Sequence, residues 1–303
     1  MFLQDHYTIF FLVCIVLSTL QCVSETAINL PFEGNALTIV CHPSPGTPIR
    51  ASLGVSSAVT ENDIFPEGLL PAITILEGDN SIDVLRPFPV EPGMEPYWEG
   101  KSDIATGSSY SINVVTPGYP AITAHTTIPF PIIPKIKVSE NNIPPVIVGD
   151  KVIQQFPLTF SLENIAATDS FFVFNIQFFK LNTVGGDSRA STARLIAQGT
   201  TGAYLHNTPD NSWLIEKKYW STTSGATFQI NVAVEYMAQF EEPEKLVIEW
   251  RTVSREYYLY YLSLSRQGTI NLPFSDPDVL FNNIQGGYGT FSGFSKDTIE
   301  IPL

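Results

Sequence analysis

An all-β chain is what this sequence predicts, and three observations carry the prediction. Short runs rich in β-branched and aromatic residues, bounded by Gly, Pro and Asn, recur at intervals of about ten to fifteen residues. Segments of helical periodicity are nearly absent, the exception beginning at Ser254. Apolar residues make up 44% of the 303, ample for packed cores, and the length suits two domains of ordinary size.

The first element is a leader. Ile9 to Leu20 is a short apolar run that stops at Gln21-Cys22. Such a run is too short to cross a hydrocarbon core, which needs roughly 20 residues, so residues 1–21 read as an export signal. Cys22 is then the natural processing and lipidation point, and acyl chains on it would hold the protein on a membrane. Gln21 stands where a small residue is usual, and the first basic side chain in the chain is Arg50, so cleavage to a soluble secreted form is the alternative.

Residues 22–128 read as a seven-strand-type sandwich. Its strands are Leu37 to Cys41, Ile49 to Val55, Ala72 to Leu76, Ser81 to Leu85, Ser109 to Val115 and Ala121 to Ile128. In the Ser109 strand, Tyr110, Ile112 and Val114 share one parity, which puts one face in a core. Glu77-Gly78-Asp79-Asn80 has the composition of a hairpin turn, because Gly and Asn tolerate positive φ. Prolines then punctuate residues 129–134, removing ladder donors and favouring a stiff, extended linker.

Residues 135–303 read as a second β-rich domain. Its strands are Lys135 to Glu140, Leu158 to Asn164, Phe171 to Leu181, Ala203 to Leu205, Phe228 to Glu235 and Leu246 to Thr252. Phe171 to Phe174 is apolar on both parities, which predicts a central strand buried on both faces. A helix is predicted near residues 254–266, because Ser254 can cap it and Tyr258, Tyr261, Leu262 and Ser265 follow helical spacing. The glycines of residues 282–294 suit tight turns and close backbone approach between short strands.

Charge and chemistry exclude more than they assign. With 16 basic against 30 acidic residues and a net charge of −14, nucleic acid is excluded as a partner, as is electrostatic attachment to anionic lipid. Cys14 falls in the leader and Cys22 at the processing point, so Cys41 has no partner for an internal disulfide and reads as a small buried hydrophobe. His42, His125 and His206 are isolated from one another and show no metal-ligand spacing, so no metal or cofactor is expected. Gly289 to Gly293 and Gly186 to Arg189 depart from nucleophile motifs and read as turns, so no catalytic residues are assigned. Ser275 to Asp278 reads as a solvated loop, and Glu241 to Glu244 as a hairpin tip. Aromatic residues are the better hint: Tyr97-Trp98, Trp213, Tyr219-Trp220 and the Tyr257 to Tyr261 cluster, with Trp213 and Trp220 the candidates for a contact surface.

Several stretches taken together resemble a known family. Cys22, Ile28-Asn29-Leu30-Pro31, Leu37 to Val40 and Ser44 to Arg50 resemble the start of a Bacteroidota lipoprotein family, domain of unknown function 4249. Val253 to Leu262 and Phe281 to Phe294 resemble its ending, a tyrosine-rich helix followed by a glycine-punctuated close. Thr116-Pro117-Gly118-Tyr119 further resembles a turn of transthyretin-like sandwiches, which implies an immunoglobulin- or transthyretin-like first domain. The resemblance implies an outer-membrane lipoprotein on the periplasmic or cell-surface face, with no established enzymatic activity. It would act as an accessory or ligand-capturing partner of a TonB-dependent transporter. A structural or adhesive surface protein acting without a transporter is the second reading, and a hydrolase with an unrecognised site the third.

Overall fold

Among the residues described by the computed structural model there are nineteen strands and one helix. These residues are 35–56, 70–89, 96–139, 143–162, 170–196, 205–216, 227–267 and 279–303. The leader, Cys22, Trp220 and the Ser275 to Asp278 loop lie outside these residues.

In chain order the first seven strands are β1 (Leu37–Cys41), β2 (Arg50–Val55), β3 (Ala72–Glu77), β4 (Asn80–Phe88), β5 (Tyr97–Glu99), β6 (Ser109–Val115) and β7 (Ile122–Thr127). Next come β8 (Lys135–Val138), β9 (Val146–Val148), β10 (Lys151–Ser161), β11 (Phe171–Asn182), β12 (Ser188–Thr192) and β13 (Arg194–Ile196). The last are β14 (Leu205–Asn207), β15 (Trp213–Ile215), β16 (Thr227–Met237), β17 (Glu241–Val253), α1 (Arg255–Gln267), β18 (Tyr288–Phe291) and β19 (Phe294–Pro302).

The first seven strands and β18 form one eight-stranded path, β18-β1-β2-β5-β4-β3-β6-β7. A bridge between Thr123 and Gln285 draws its two ends together, so the sheet wraps around a single core. That core is mainly aliphatic, with Leu37, Ile39, Ile73, Ile75, Ile112 and Ile122 all fully buried. Alternation explains their placement: β1 and β6 bury every second residue. Cys41 is buried in the same core, and burial pushes its thiol up. The Gly78-Asp79 turn joins β3 to β4, with Gly78 at positive φ. At Thr116 to Tyr119, the Tyr119 N–H donates to the Thr116 carbonyl at 3.2 Å.

Late residues complete this early core. β18 pairs parallel with β1, Gly289 opposite Ile39, and Ile284 and Phe291 are buried among the β1 to β7 side chains. Gly289 has φ +114°, and a Cβ there would run into the Ile39 carbonyl oxygen, so both the conformation and the close approach require glycine. Asn283 stands in for a strand partner at this place. Its Nδ2 donates to the Phe291 carbonyl at 2.8 Å, and its Oδ1 accepts from the Phe291 N–H at 3.0 Å.

The remaining strands form two facing sheets. One has the order β13-β16-β10-β8 with β9 also on β10, and the other β14-β15-β11-β17-β19 with β12 also on β11. Their shared core is aromatic: Phe160, Phe172, Phe174, Phe178, Phe228 and Trp250 are fully or nearly fully buried, and Phe160 and Phe228 stack with centroids 4.5 Å apart. Phe171 to Phe174 of β11 is buried on both faces, because Phe172 and Phe174 enter this core while Phe171 and Val173 pack beneath α1. The proline-rich segment is pinned rather than free: the Ile132 N–H donates to Thr252 Oγ1 at 2.9 Å, and Trp250 Nε1 donates to the Ile132 carbonyl at 2.8 Å.

Helix α1 starts where its cap dictates. Ser254 Oγ accepts from the Tyr257 N–H at 3.3 Å, Glu256 lies in the first turn and Arg266 in the last, each with the favourable sign for the helix dipole. Its buried face is wider than the expected stripe, taking in Tyr257, Tyr258, Tyr260 and Leu262, while Tyr261 and Ser265 are half-buried. The tyrosine cluster is therefore packed against the sheet instead of being offered to solvent. Trp98 likewise proves buried, because β5 alternates and turns that side chain into the first core; Tyr97 stays half-buried, stacked on Phe88. The acids from Glu241 to Glu244 open β17, and the hairpin tip is the preceding turn at residues 238–240.

Candidate functional site

The second sandwich has an open edge. On one side of β11, β15 pairs with Phe172 to Phe174 and β12 pairs with Gln177 to Leu181, so Asn175 and Ile176 face a gap between the two. The chain crosses there from one sheet to the other, since β12 belongs to the β11 sheet and β13 pairs with β16 of the opposite one. A slot of about 340 Å³ opens at this crossing. Its apolar lining residues include Ala193 and Leu195, with Ile176 and Val232 buried behind them. Trp213 and Ser191 line it from the core side of the β11 sheet, Asn175, Gln177 and Thr192 from the outer side, and Asp210 and Asn211 from the neighbouring turn.

Sequence explains why these groups sit there. Asn175 and Gln177 interrupt the apolar run of β11 on the parity that faces away from the aromatic core. Trp213 is held by the β14–β15 hairpin, whose turn runs through Thr208, Asp210, Asn211 and Ser212. Thr208 Oγ1 donates to Asp210 Oδ1 at 2.5 Å, Ser212 Oγ donates to Asp210 Oδ2 at 3.0 Å, and the Thr208 N–H donates to the Ser212 carbonyl at 2.8 Å. Asn211 takes φ +58°, a left-handed conformation that Asn tolerates better than most residues. Asn175 Nδ2 donates to the Asn211 carbonyl at 3.3 Å, which ties the turn to β11.

From the slot runs a polar relay, exposed at Asp210 and buried at Tyr257. Arg251 Nη1 donates to Asp210 Oδ2 at 2.8 Å and to the Tyr257 hydroxyl at 3.1 Å, and Arg251 Nε donates to Glu249 Oε1 at 2.6 Å. The guanidinium also lies over the Phe294 ring, 5.3 Å from its centroid. Tyr257 hydrogen-bonds Tyr261, whose hydroxyl is 2.9 Å from His42 Nε2. His42 Nδ1 lies 2.9 Å from Ser292 Oγ and 3.3 Å from the Ser292 carbonyl. A neutral ring with its proton on Nδ1 satisfies both sides, donating to Ser292 and accepting from Tyr261.

Each ionisable group responds to its surroundings. Burial raises the Asp210 carboxyl, but the Thr208 hydroxyl, the Arg251 charge and the Ser212 hydroxyl together outweigh it and hold the group below the usual carboxylate range. Burial works against the Arg251 cation too, yet Tyr257, Glu249 and Asp210 keep it firmly charged. Burial pushes the Tyr257 and Tyr261 hydroxyls up. Burial also pushes His42 down to about 4, against the opposing pull of its bond to Ser292. His42, which in sequence stands alone, is thus the far end of a relay reaching across both sandwiches. Both its nitrogens are occupied and Ser292 is fully buried, so this pair binds the fold together.

Family comparison can now be set beside this geometry. A family model described as a domain of unknown function, DUF4249, matches residues 23–300. The chain belongs to that family. No curated protein matches it. Among solved structures, the three N-terminal domains of the bacteriophage RB49 highly immunogenic outer capsid protein match at 10% identity and a TM-score of 0.22, covering 87% of this chain and 68% of that one. A structure titled BspA_C_mut matches at 9% identity and a TM-score of 0.18, covering 90% of this chain and 99% of that one.

In this DUF4249 member, Trp213 lines the slot, whereas Trp220 and Cys22 lie outside the described residues. His125 and His206 stay apart from the slot lining, and among the described residues no group of three or more His, Cys, Asp or Glu could hold a metal ion. Asn175, Gln177, Thr192 and Asp210 are the site residues that local sequence pattern leaves unassigned. The usable signals are the polar pair on one parity of an apolar strand and the Thr-Pro-Asp-Asn-Ser turn immediately before a tryptophan. No helix among the described residues is long and apolar enough to cross a membrane.

Proposed function

We propose that this DUF4249 protein is a non-enzymatic lipoprotein of the Bacteroidota outer membrane, tethered through Cys22, that captures a ligand for a TonB-dependent transporter. The observation that carries the reading is the slot: a half-buried tryptophan and uncommitted polar side chains at an open sheet edge suit binding without chemistry. Asp210, the one carboxylate in its lining, is already held by Arg251, Thr208 and Ser212, and His42 lies at the other end of the relay. Among the described residues of the slot lining no acid–base or nucleophilic pair is therefore assembled. The short apolar leader ending at Cys22 supports the tether, and the transporter partner rests on the resemblance of the sequence motifs.

A second reading, an adhesive or structural surface protein acting alone, is favoured by one observation. Val146, Ile147 and Val148 of β9 are all exposed on a sheet edge, a surface that pairs readily with another chain. Mild detergent extraction followed by affinity purification of the full chain separates the two. A stoichiometric β-barrel partner is the expected result, and its absence across several detergents contradicts the transporter reading. Palmitate labelling that persists in Cys22→Ala contradicts the tether.

A further inference from the structure

We infer that the open-edge slot binds a neutral saccharide, a ligand class that rests on the capture reading above and narrows it. Charge decides the first step. Among the described residues no lysine or arginine lines the slot, and the one carboxylate there is paired with Arg251, so these residues offer neither an anionic nor a cationic ligand an uncommitted counter-charge. Hydrogen-bonding capacity decides the second. Among the described residues the side chains of Gln177 and Thr192, on the outer face of the β11 sheet, and of Ser191, on its core face, have no hydrogen-bond partner, so a polyhydroxylated ring entering the gap meets donors and acceptors from both faces. A purely apolar ligand would strip water from these groups and return nothing.

Shape decides the third step. The gap along β11 covers only Asn175 and Ile176, and it is closed at one end by β15 and at the other by β12. An extended peptide laid along β11 as an added strand would collide with both, so the slot admits a compact unit entering end-on. The half-buried Trp213 indole supplies the apolar surface on which the C–H face of a sugar ring packs. About 340 Å³ is at the small end of ligand sites, the size expected for a terminal sugar rather than a long chain.

The test is saturation-transfer NMR on the full chain in detergent, with maltose, cellobiose and N,N′-diacetylchitobiose as probes and with inorganic phosphate and trialanine as controls. Transfer to the ring protons of at least one disaccharide is expected, with none to the controls. Gln177→Ala, at an exposed position, should leave the melting temperature unchanged and weaken that disaccharide about ten-fold. Trp213→Phe should weaken it less than Trp213→Ala, which removes the platform. No transfer from any of the disaccharides, or transfer indifferent to Gln177→Ala and Trp213→Ala alike, overturns the inference. Trialanine binding that is lost in the same variants also overturns the saccharide assignment, while leaving capture at the slot standing.

Discussion

The junction between the two sandwiches and the slot at the edge of the second draw on the same kinds of side chain and use them in opposite ways. At the junction, His42, Tyr257, Tyr261, Ser292 and Arg251 are bonded to one another over a continuous path, and Thr290 and Ser292 are fully buried. In the slot, Gln177, Ser191 and Thr192 reach solvent with no protein partner among the described residues. Aromatic rings follow the same division: Tyr257 and Tyr258 are packed under their helix, whereas Trp213 lines a cavity. A saturated polar network holds a fold, because any unpaired member in low dielectric is costly. An unsaturated one at the surface is free to meet something else.

This contrast is sharpest where substitution should separate stability from binding. Gly289→Val should cost the most, upwards of about 4 kcal/mol in chemical denaturation, because it puts a branched side chain at φ +114° and against the Ile39 carbonyl. A cost below about 1 kcal/mol would mean that β18 is not essential to the first core. Arg251→Met should cost about 3 kcal/mol, since Tyr257, Glu249 and Asp210 lose their shared cation. A neutral effect would show that the relay is not a structural unit.

Between pH 6.5 and 4 acid should act chiefly on the junction, since Asp210 at the slot is held below the usual carboxylate range. An unfolded histidine titrates near 6.5 and His42 in the fold at about 4, so between these values the unfolded chain binds more protons than the folded one. His42 thus contributes fully above pH 6.5, and stability declines as pH falls from 6.5 toward 4, by up to about 3 kcal/mol. Denaturation midpoints of the native chain and His42→Asn across that range check the sign: the variant should lose the slope. The smallest stability effect belongs to the slot, where Gln177→Ala should stay within about 0.5 kcal/mol of the native chain.

How much of this is legible in sequence depends on how local the cause is. β1 and β6 can be placed to the residue, because their alternation is strong and turn residues flank them. Helix α1 is legible from its Ser254 cap and its spacing, within a residue of the observed bounds. Strands β5, β12, β13 and β15 are three to five residues long and carry little periodicity, so only their neighbours define them. The parallel pairing of β18 with β1 joins residues from the two ends of the described chain, and no local pattern encodes it. The same limit applies to the site. Trp213 is recognisable as an aromatic residue in a polar surrounding, but its meeting with Gln177 and Thr192 depends on where β12 and β15 leave β11 uncovered.

The central claim is that capture happens at the open edge of the second sandwich and leaves the junction untouched. Amide hydrogen exchange on the full chain with and without a saturating neutral disaccharide tests it most directly. Slower exchange confined to peptides containing Asn175 to Gln177, Ser191 to Thr192 and Asn211 to Trp213, with the segments around His42 and Ser292 unchanged, is the predicted result. Protection absent from those peptides, or centred on the junction, would contradict the account.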